Sequence, residues 1–171
     1  VVFQRLNTGS LKLSPQELRQ ALAPGPFTDF ADDTTVESAE TARLLGRNTP
    51  DPRMRDVELL VRAISFRLRL QEYGGRMKEF LDSSCLYFNQ HWNRVMARVT
   101  ASVEAFKAGV ATLEQVFGDR RLARKQDSAL FNRSIFDALI FYAMDEEVRA
   151  RMGEKQQQVR EAYDQVLEDE R

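Results

Sequence analysis

The chain has 171 residues, 43% of them hydrophobic and 30% charged, with 25 Lys and Arg against 26 Asp and Glu. A formal net charge of -1 excludes a global field towards nucleic acid or an anionic membrane, so any such contact needs a local patch. A single cysteine, Cys85, excludes an internal disulfide framework and suits a reducing cytoplasm, and no apolar run reaches the roughly 18 residues that span a bilayer.

The length fits one domain with a sizeable core. Only 8 glycines and 5 prolines, no alternating run and no internal repeat point to an all-α multi-helix bundle. Phe3 and Leu6 read as the last turn of a helix whose body lies upstream, and Asn7-Thr8-Gly9 as a turn. Ser14-Pro15-Gln16-Glu17 is a helix start: Ser14 caps, Pro15 suits the first position and Glu17 reaches back to the cap amide. Leu18, Ala21 and Leu22 give that helix an apolar face, and Pro24-Gly25-Pro26 ends it.

Short helices are predicted around Phe27–Ala31 and over Val36–Leu45, with a loop at Asp32-Asp33-Thr34-Thr35 between them. After a break at residues 48–52, a helix runs from about Arg53 to Tyr73. Val57, Leu60, Val61, Ile64 and Leu68 share one of its faces, and Gly74-Gly75 stops it. A short helix holds Met77, Phe80 and Leu81. The longest helix starts near Asn89 and forms a central strut. Its apolar stripe, Trp92, Met96, Val99, Val103, Phe106, Val110, Leu113 and Phe117, alternates steps of four and three, and Gly118 sits where a C-terminal cap belongs. Ser128 caps the next predicted helix, which carries Leu130, Phe131, Ile135, Leu139 and Tyr142. A charged helix follows from about Glu146, its thin apolar edge made of Met152, Val159, Tyr163 and Val166.

No Walker-type loop and no GxGxxG occurs. One histidine, His91, and one distant cysteine make no metal site. His91 reads as a helix-start or packing residue, and Cys85 as a small buried hydrophobe. Two basic features stand out. Arg55, Arg62 and Arg69 are seven apart on one helix, with Arg67 and Arg76 nearby; Arg120, Arg121, Arg124 and Lys125 cluster between two helices. Each is a solvated surface or a contact for phosphates of a nucleotide or of DNA.

One segment carries more. Phe3-Gln4-Arg5-Leu6-Asn7-Thr8-Gly9, followed by Leu13-Ser14-Pro15-Gln16-Glu17-Leu18-Arg19, resembles the FxxxN signature of the DGQQR-motif ParB/sulfiredoxin-like domain of GmrSD-type, type IV restriction systems. Later pieces follow in the same order: Arg55 to Arg62, Tyr73 to Leu81, and Leu130 to Leu139. The resemblance extends to about residue 145. The family's DGQQR segment lies upstream of FxxxN and does not occur here, nor does any His-rich segment of the HNH-type nuclease that often accompanies it.

The resemblance implies a domain layout. Residues 1–13 would end a nucleotide-binding part whose N-terminal DGQQR segment is missing, 14–145 would form the helical bundle, and 146–171 a charged C-terminal helix. The complete protein would be a cytoplasmic, bacterial defence component that senses modified DNA and hydrolyses an NTP, with a divalent metal, to control cleavage by the HNH-type partner. This chain would supply one wall of the nucleotide site and be inactive alone. Asn7 and Arg5 are the catalytic candidates; Phe3, Arg19 and Arg62 are the cofactor-binding candidates. The residues themselves leave alternatives open: Asn7 as a helix C-terminal cap, Arg5 as a surface ion pair, Phe3 as packing, and Arg19 and Arg62 as structural partners of Glu17 and Glu58. The competing function is a non-catalytic helical module that binds protein or DNA, the latter through Arg120, Arg121, Arg124 and Lys125.

Overall fold

The computed structural model describes residues 12–118, 122–125 and 128–169. Among them it holds nine α-helices, one 3-10 turn and no strand: α1 (Pro15–Leu22), α2 (Pro26–Glu37), α3 (Ala39–Leu44), α4 (Arg55–Arg69), the turn Leu70–Glu72, α5 (Met77–Gln90), α6 (Trp92–Phe117), α7 (Arg133–Ala143), α8 (Glu146–Glu154) and α9 (Gln156–Asp169). The chain is an all-α bundle with one long central helix, as its composition predicts. No described helix is long and apolar enough to cross a membrane.

α1 starts as the sequence dictates. Ser14 Oγ accepts from Glu17 N at 3.1 Å and Glu17 Oε2 accepts from Ser14 N at 2.5 Å, so the capping box is complete. The Ser14 hydroxyl also donates to Arg53 O at 2.8 Å, which ties α1 to the approach of α4.

α2 departs from the expectation. The predicted loop at Asp32–Thr35 is helical, and the second short helix begins at Ala39 rather than Val36. Phe27, Ala31 and Thr35 fall on one buried face, and the Thr35 hydroxyl satisfies itself on Ala31 O and Asp32 O. Burial and back-bonding thus override the capping preference of the Asp-Thr run. α2 has no capping side chain of its own. Asn89, from the far end of α5, supplies it: Oδ1 accepts from Phe27 N at 2.9 Å and Thr28 N at 3.3 Å, while Nδ2 donates to Ala23 O at 2.9 Å. A Cβ on Gly25 would lie 2.5 Å from Asn89 Cγ, so only glycine lets the amide approach. Asn89→Ala is expected to lower stability by about 1–2 kcal/mol, read as the shift of the urea midpoint.

α4 is encircled rather than half-buried. Every residue from Asp56 to Ser65 is buried, because α1, α2, α3, α5, α6 and α7 all pack on it. Its first turn follows a loop in which Met54 takes a left-handed φ of 52°. Asp51 organises that loop by accepting from Arg53 N at 2.7 Å and Arg55 Nε at 2.8 Å. Burial pushes the Asp51 carboxyl up, but the Arg55 and Arg53 hydrogen bonds and the charges of Arg55 and Arg47 outweigh it and hold it below its ordinary 3.8. A depressed carboxyl contributes stability above its unfolded value and loses it as pH falls through the folded one. The stability gap between the protein and Asp51→Asn is therefore expected to be constant at neutral pH and to close in acid below 3.8, in denaturation curves taken across that range.

α6 starts at Trp92, not Asn89; His91 breaks the chain between α5 and α6 with φ -113° and ψ 21°. Trp92 packs on Phe27 and Phe30 of α2 with ring centroids at 6.3 and 5.2 Å. The predicted stripe is buried from Val99 onwards, but Met96 is 49% exposed and Val95 takes its place. Gly118 closes the helix with φ 68°, where its N–H donates to Glu114 O. α7 is capped by Asn132, whose Oδ1 accepts from Ser134 N and Ile135 N, rather than by Ser128. Leu130 consequently lies outside the helix and is 80% exposed. The charged C-terminal segment is two helices with a break at Lys155. Tyr163 of α9 packs on Phe117 at 4.9 Å and donates to Arg124 O at 2.9 Å.

Candidate functional site

α7 stands between two clefts, and a smaller one lies between α1 and α5 beside Arg19 and Asp82. The first cleft, of about 290 Å³, opens between α7 and the end of α4. Phe66, Leu70, Tyr73 and Met77 form one wall; Ser134, Asp137, Ala138 and Phe141 form the other. Phe66, Tyr73 and Phe80 make a ring cluster with centroids 5.2–5.3 Å apart. Among the described residues, the only charged lining group is Asp137.

Asp137 is held from beneath by α4. Arg62 Nε donates to Asp137 Oδ1 at 2.9 Å and to Oδ2 at 3.1 Å, and Nη2 adds a further contact to Oδ2. Arg62 also reaches Glu58 Oε1 at 3.5 Å, and Arg133 Nη1 lies 4.0 Å from the same oxygen. Four groups of alternating sign thus run Arg133, Glu58, Arg62, Asp137. Burial pushes the Asp137 carboxyl up from its ordinary value against the pull of Arg62. Burial acts downwards on Arg62, but Asp137 and Glu58 outweigh it and raise the guanidinium. Charged groups this far from water are stable only when paired.

The second cleft, of about 680 Å³, separates α7 from α9. Ile135, Leu139 and Tyr142 face Val159, Tyr163 and Val166 across it, and Lys125 stands at its edge. Tyr142 and Val166 remain 60% and 58% exposed.

The predicted site residues divide into two groups. Phe3, Arg5, Asn7, Arg120 and Arg121 lie outside the described residues. Arg19 and Arg62 are described, 4% and 7% exposed. Arg19 Nε pairs with Asp82 Oδ1 at 2.9 Å and its Nη1 donates to Gln16 Oε1 at 2.5 Å; Arg62 holds Asp137. Their partners are thus Asp82 and Asp137, with Glu58 a more distant second contact of Arg62, and Glu17 instead pairs with Arg53 at 3.1 Å. Arg124 donates to the carbonyls of Leu122, Ala129 and Leu44 and lies over the Phe131 ring, so it fastens the loop between α6 and α7. Lys125 is exposed.

The arginines seven apart on α4 are also engaged. Arg55 pairs with Asp51, Arg62 with Asp137, and Arg69 with Glu72 and the Ser83 carbonyl while stacking over Tyr87. His91 meets Tyr87 edge-on at 4.6 Å. Cys85 is fully buried, and desolvation pushes its thiol up to about 12. A thiolate is the reactive species, so Cys85 is expected to resist iodoacetamide in the native protein and to alkylate at the rate of global unfolding, followed by mass spectrometry.

Asp137 is the site residue that sequence reading passes over. Its signal is a lone acid inside the apolar run Ile135-Phe136-Asp137-Ala138-Leu139, where burial without a partner would be prohibitive. No family model, curated protein or solved structure matches this chain.

Proposed function

We propose that this chain is the helical part of a bacterial, modification-dependent restriction or anti-phage protein, in which it contributes one wall of an NTP-hydrolysing site that controls DNA cleavage. The reading rests on the ordered resemblance of its segments to the DGQQR/FxxxN family. The observation that carries it is the way those segments meet. Ser14 donates to Arg53 just before the second segment, Arg62 of the second grips Asp137 of the fourth, and Tyr73 and Phe80 of the third stack on Phe66. The direct segment-to-segment bond is Arg62 with Asp137, beside which Arg133 of the fourth segment lies 4.0 Å from Glu58 of the second; Arg53 and Phe66 flank the segments they meet.

Arg19 and Arg62 do not fit a phosphate without releasing the carboxylates they hold, so no catalytic step is assigned to them. They position α1 on α5 and α4 on α7. Contact with the nucleotide falls to Phe3, Arg5 and Asn7. An asparagine offers both a donor and an acceptor, which suits orienting a phosphate or a ribose.

The test is made on the complete protein. A thermal shift with at least one NTP is expected, and Asn7→Ala is expected to abolish hydrolysis while leaving the fold intact by circular dichroism. Normal turnover in folded Asn7→Ala protein removes Asn7 from the mechanism. No shift with any NTP sinks the nucleotide reading. The apolar cleft between α7 and α9 favours a second reading, a non-catalytic module that seats an amphipathic helix of its partner subunit. In that case Ala162→Trp, which fills the cleft, abolishes association, and turnover is indifferent to Asn7→Ala.

A further inference from the structure

The cleft over Asp137 joins two features. Its walls are aromatic and aliphatic, and its floor is a carboxylate. A carboxylate has about four lone-pair sites, and a guanidinium fork occupies only one side of it. Arg62 approaches from the core through Nε and Nη2. Although Arg62 reaches both oxygens, their lone pairs on the cleft side are open to a further donor, and among the described residues no other charged group lines that cleft.

We propose that this cleft binds a small organic cation: an ammonium group on an apolar or aromatic body, its N–H groups donating to Asp137 and its body lying among Phe66, Tyr73 and Phe141. The chemistry follows from the lining. An anion in the cleft would meet the carboxylate, while the Arg62 guanidinium, already engaged with Asp137, is not among the lining residues. A neutral apolar ligand leaves the buried acceptor unused, which costs a desolvated hydrogen bond. A cation gains both the carboxylate and the faces of the rings. A volume of about 290 Å³ suits a ligand the size of an arylalkyl amine. The site is independent of nucleotide chemistry.

The same ammonium chemistry reaches the cleft from a free amine or from a lysine side chain of a bound protein. Calorimetry on the whole chain separates them. Phenethylammonium is compared with 2-phenylethanol, and Nα-acetyl-lysine methylamide with its norleucine counterpart. The ammonium is expected to bind about tenfold tighter than its neutral isostere in at least one pair. A preference confined to phenethylammonium identifies the free amine, and one confined to the lysine derivative identifies the side chain; either supports the site. Ala138→Trp, on the exposed lip and in neither half of the ion pair, is expected to abolish that binding with the melting temperature unchanged. Arg62→Met/Asp137→Leu, which removes the acid together with its partner, is expected to erase the preference for charge. Equal binding within both pairs, or binding that survives Ala138→Trp, overturns the proposal.

Discussion

Arg62→Met is expected to destabilise the protein by about 3–5 kcal/mol, because it strips Asp137 and Glu58 of the cation that lets them stay buried. At this chain length that corresponds to a melting-temperature drop of roughly 2–4 °C per kcal/mol, so about 6–20 °C by differential scanning calorimetry. The loss is a property of the orphaned acids rather than of a missing attraction. Arg62→Met/Asp137→Leu should therefore recover the share of the loss that Asp137 causes, since an apolar pair replaces that buried ion pair at little net change, while Glu58 keeps only Arg133 at 4.0 Å. A double variant as unstable as the single one would show that Arg62 acts through packing and not through charge.

The second large effect is expected at Gly109, on the face of α6 that meets α7. A Cβ there would lie 2.9 Å from Ile140 Cδ1 and 3.2 Å from the Ala143 backbone carbon and oxygen. The isoleucine terminus can rotate away, but the backbone of α7 cannot. Gly109→Val is expected to lose about 1–3 kcal/mol despite the better helix propensity of valine, because overpacking forces the two helices apart. Gly153, with nothing within 4 Å of its Cβ position, is the control: Gly153→Ala should stabilise by up to about 1 kcal/mol through propensity alone. Equal responses at the two glycines, by chemical denaturation, would sink the close-approach argument.

How much was legible follows from where each interaction lives. α1 was readable because Ser14, Pro15 and Glu17 settle its start within four residues. The stripe of α6 was readable because burial repeats with the helical period. What stayed hidden depends on distant partners. The Asp-Thr run of α2 looks like a loop until Asn89 caps the helix from α5 and the core covers Phe27 and Thr35. The arginines of α4 look like a solvated or phosphate-binding stripe until Asp51, Asp137 and Glu72 meet them. Asp137 itself looks incidental until α4 supplies Arg62. In each case a side chain's role was set by a group on another element, and spacing along one helix carries no record of that.

The amide that starts α2 has a consequence for the order of events during synthesis. The helix beginning at Pro26 emerges from the ribosome long before Asn89, 62 positions behind Phe27, has been added. Until then its first amides face water, and a nascent segment this short is only marginally helical. Such a high sequence separation slows the commitment step and couples it to arrival of the second half of the chain. The N-terminal helices should therefore acquire lasting amide protection only when α5 docks, so that the first third of the polypeptide waits on the middle third to become native.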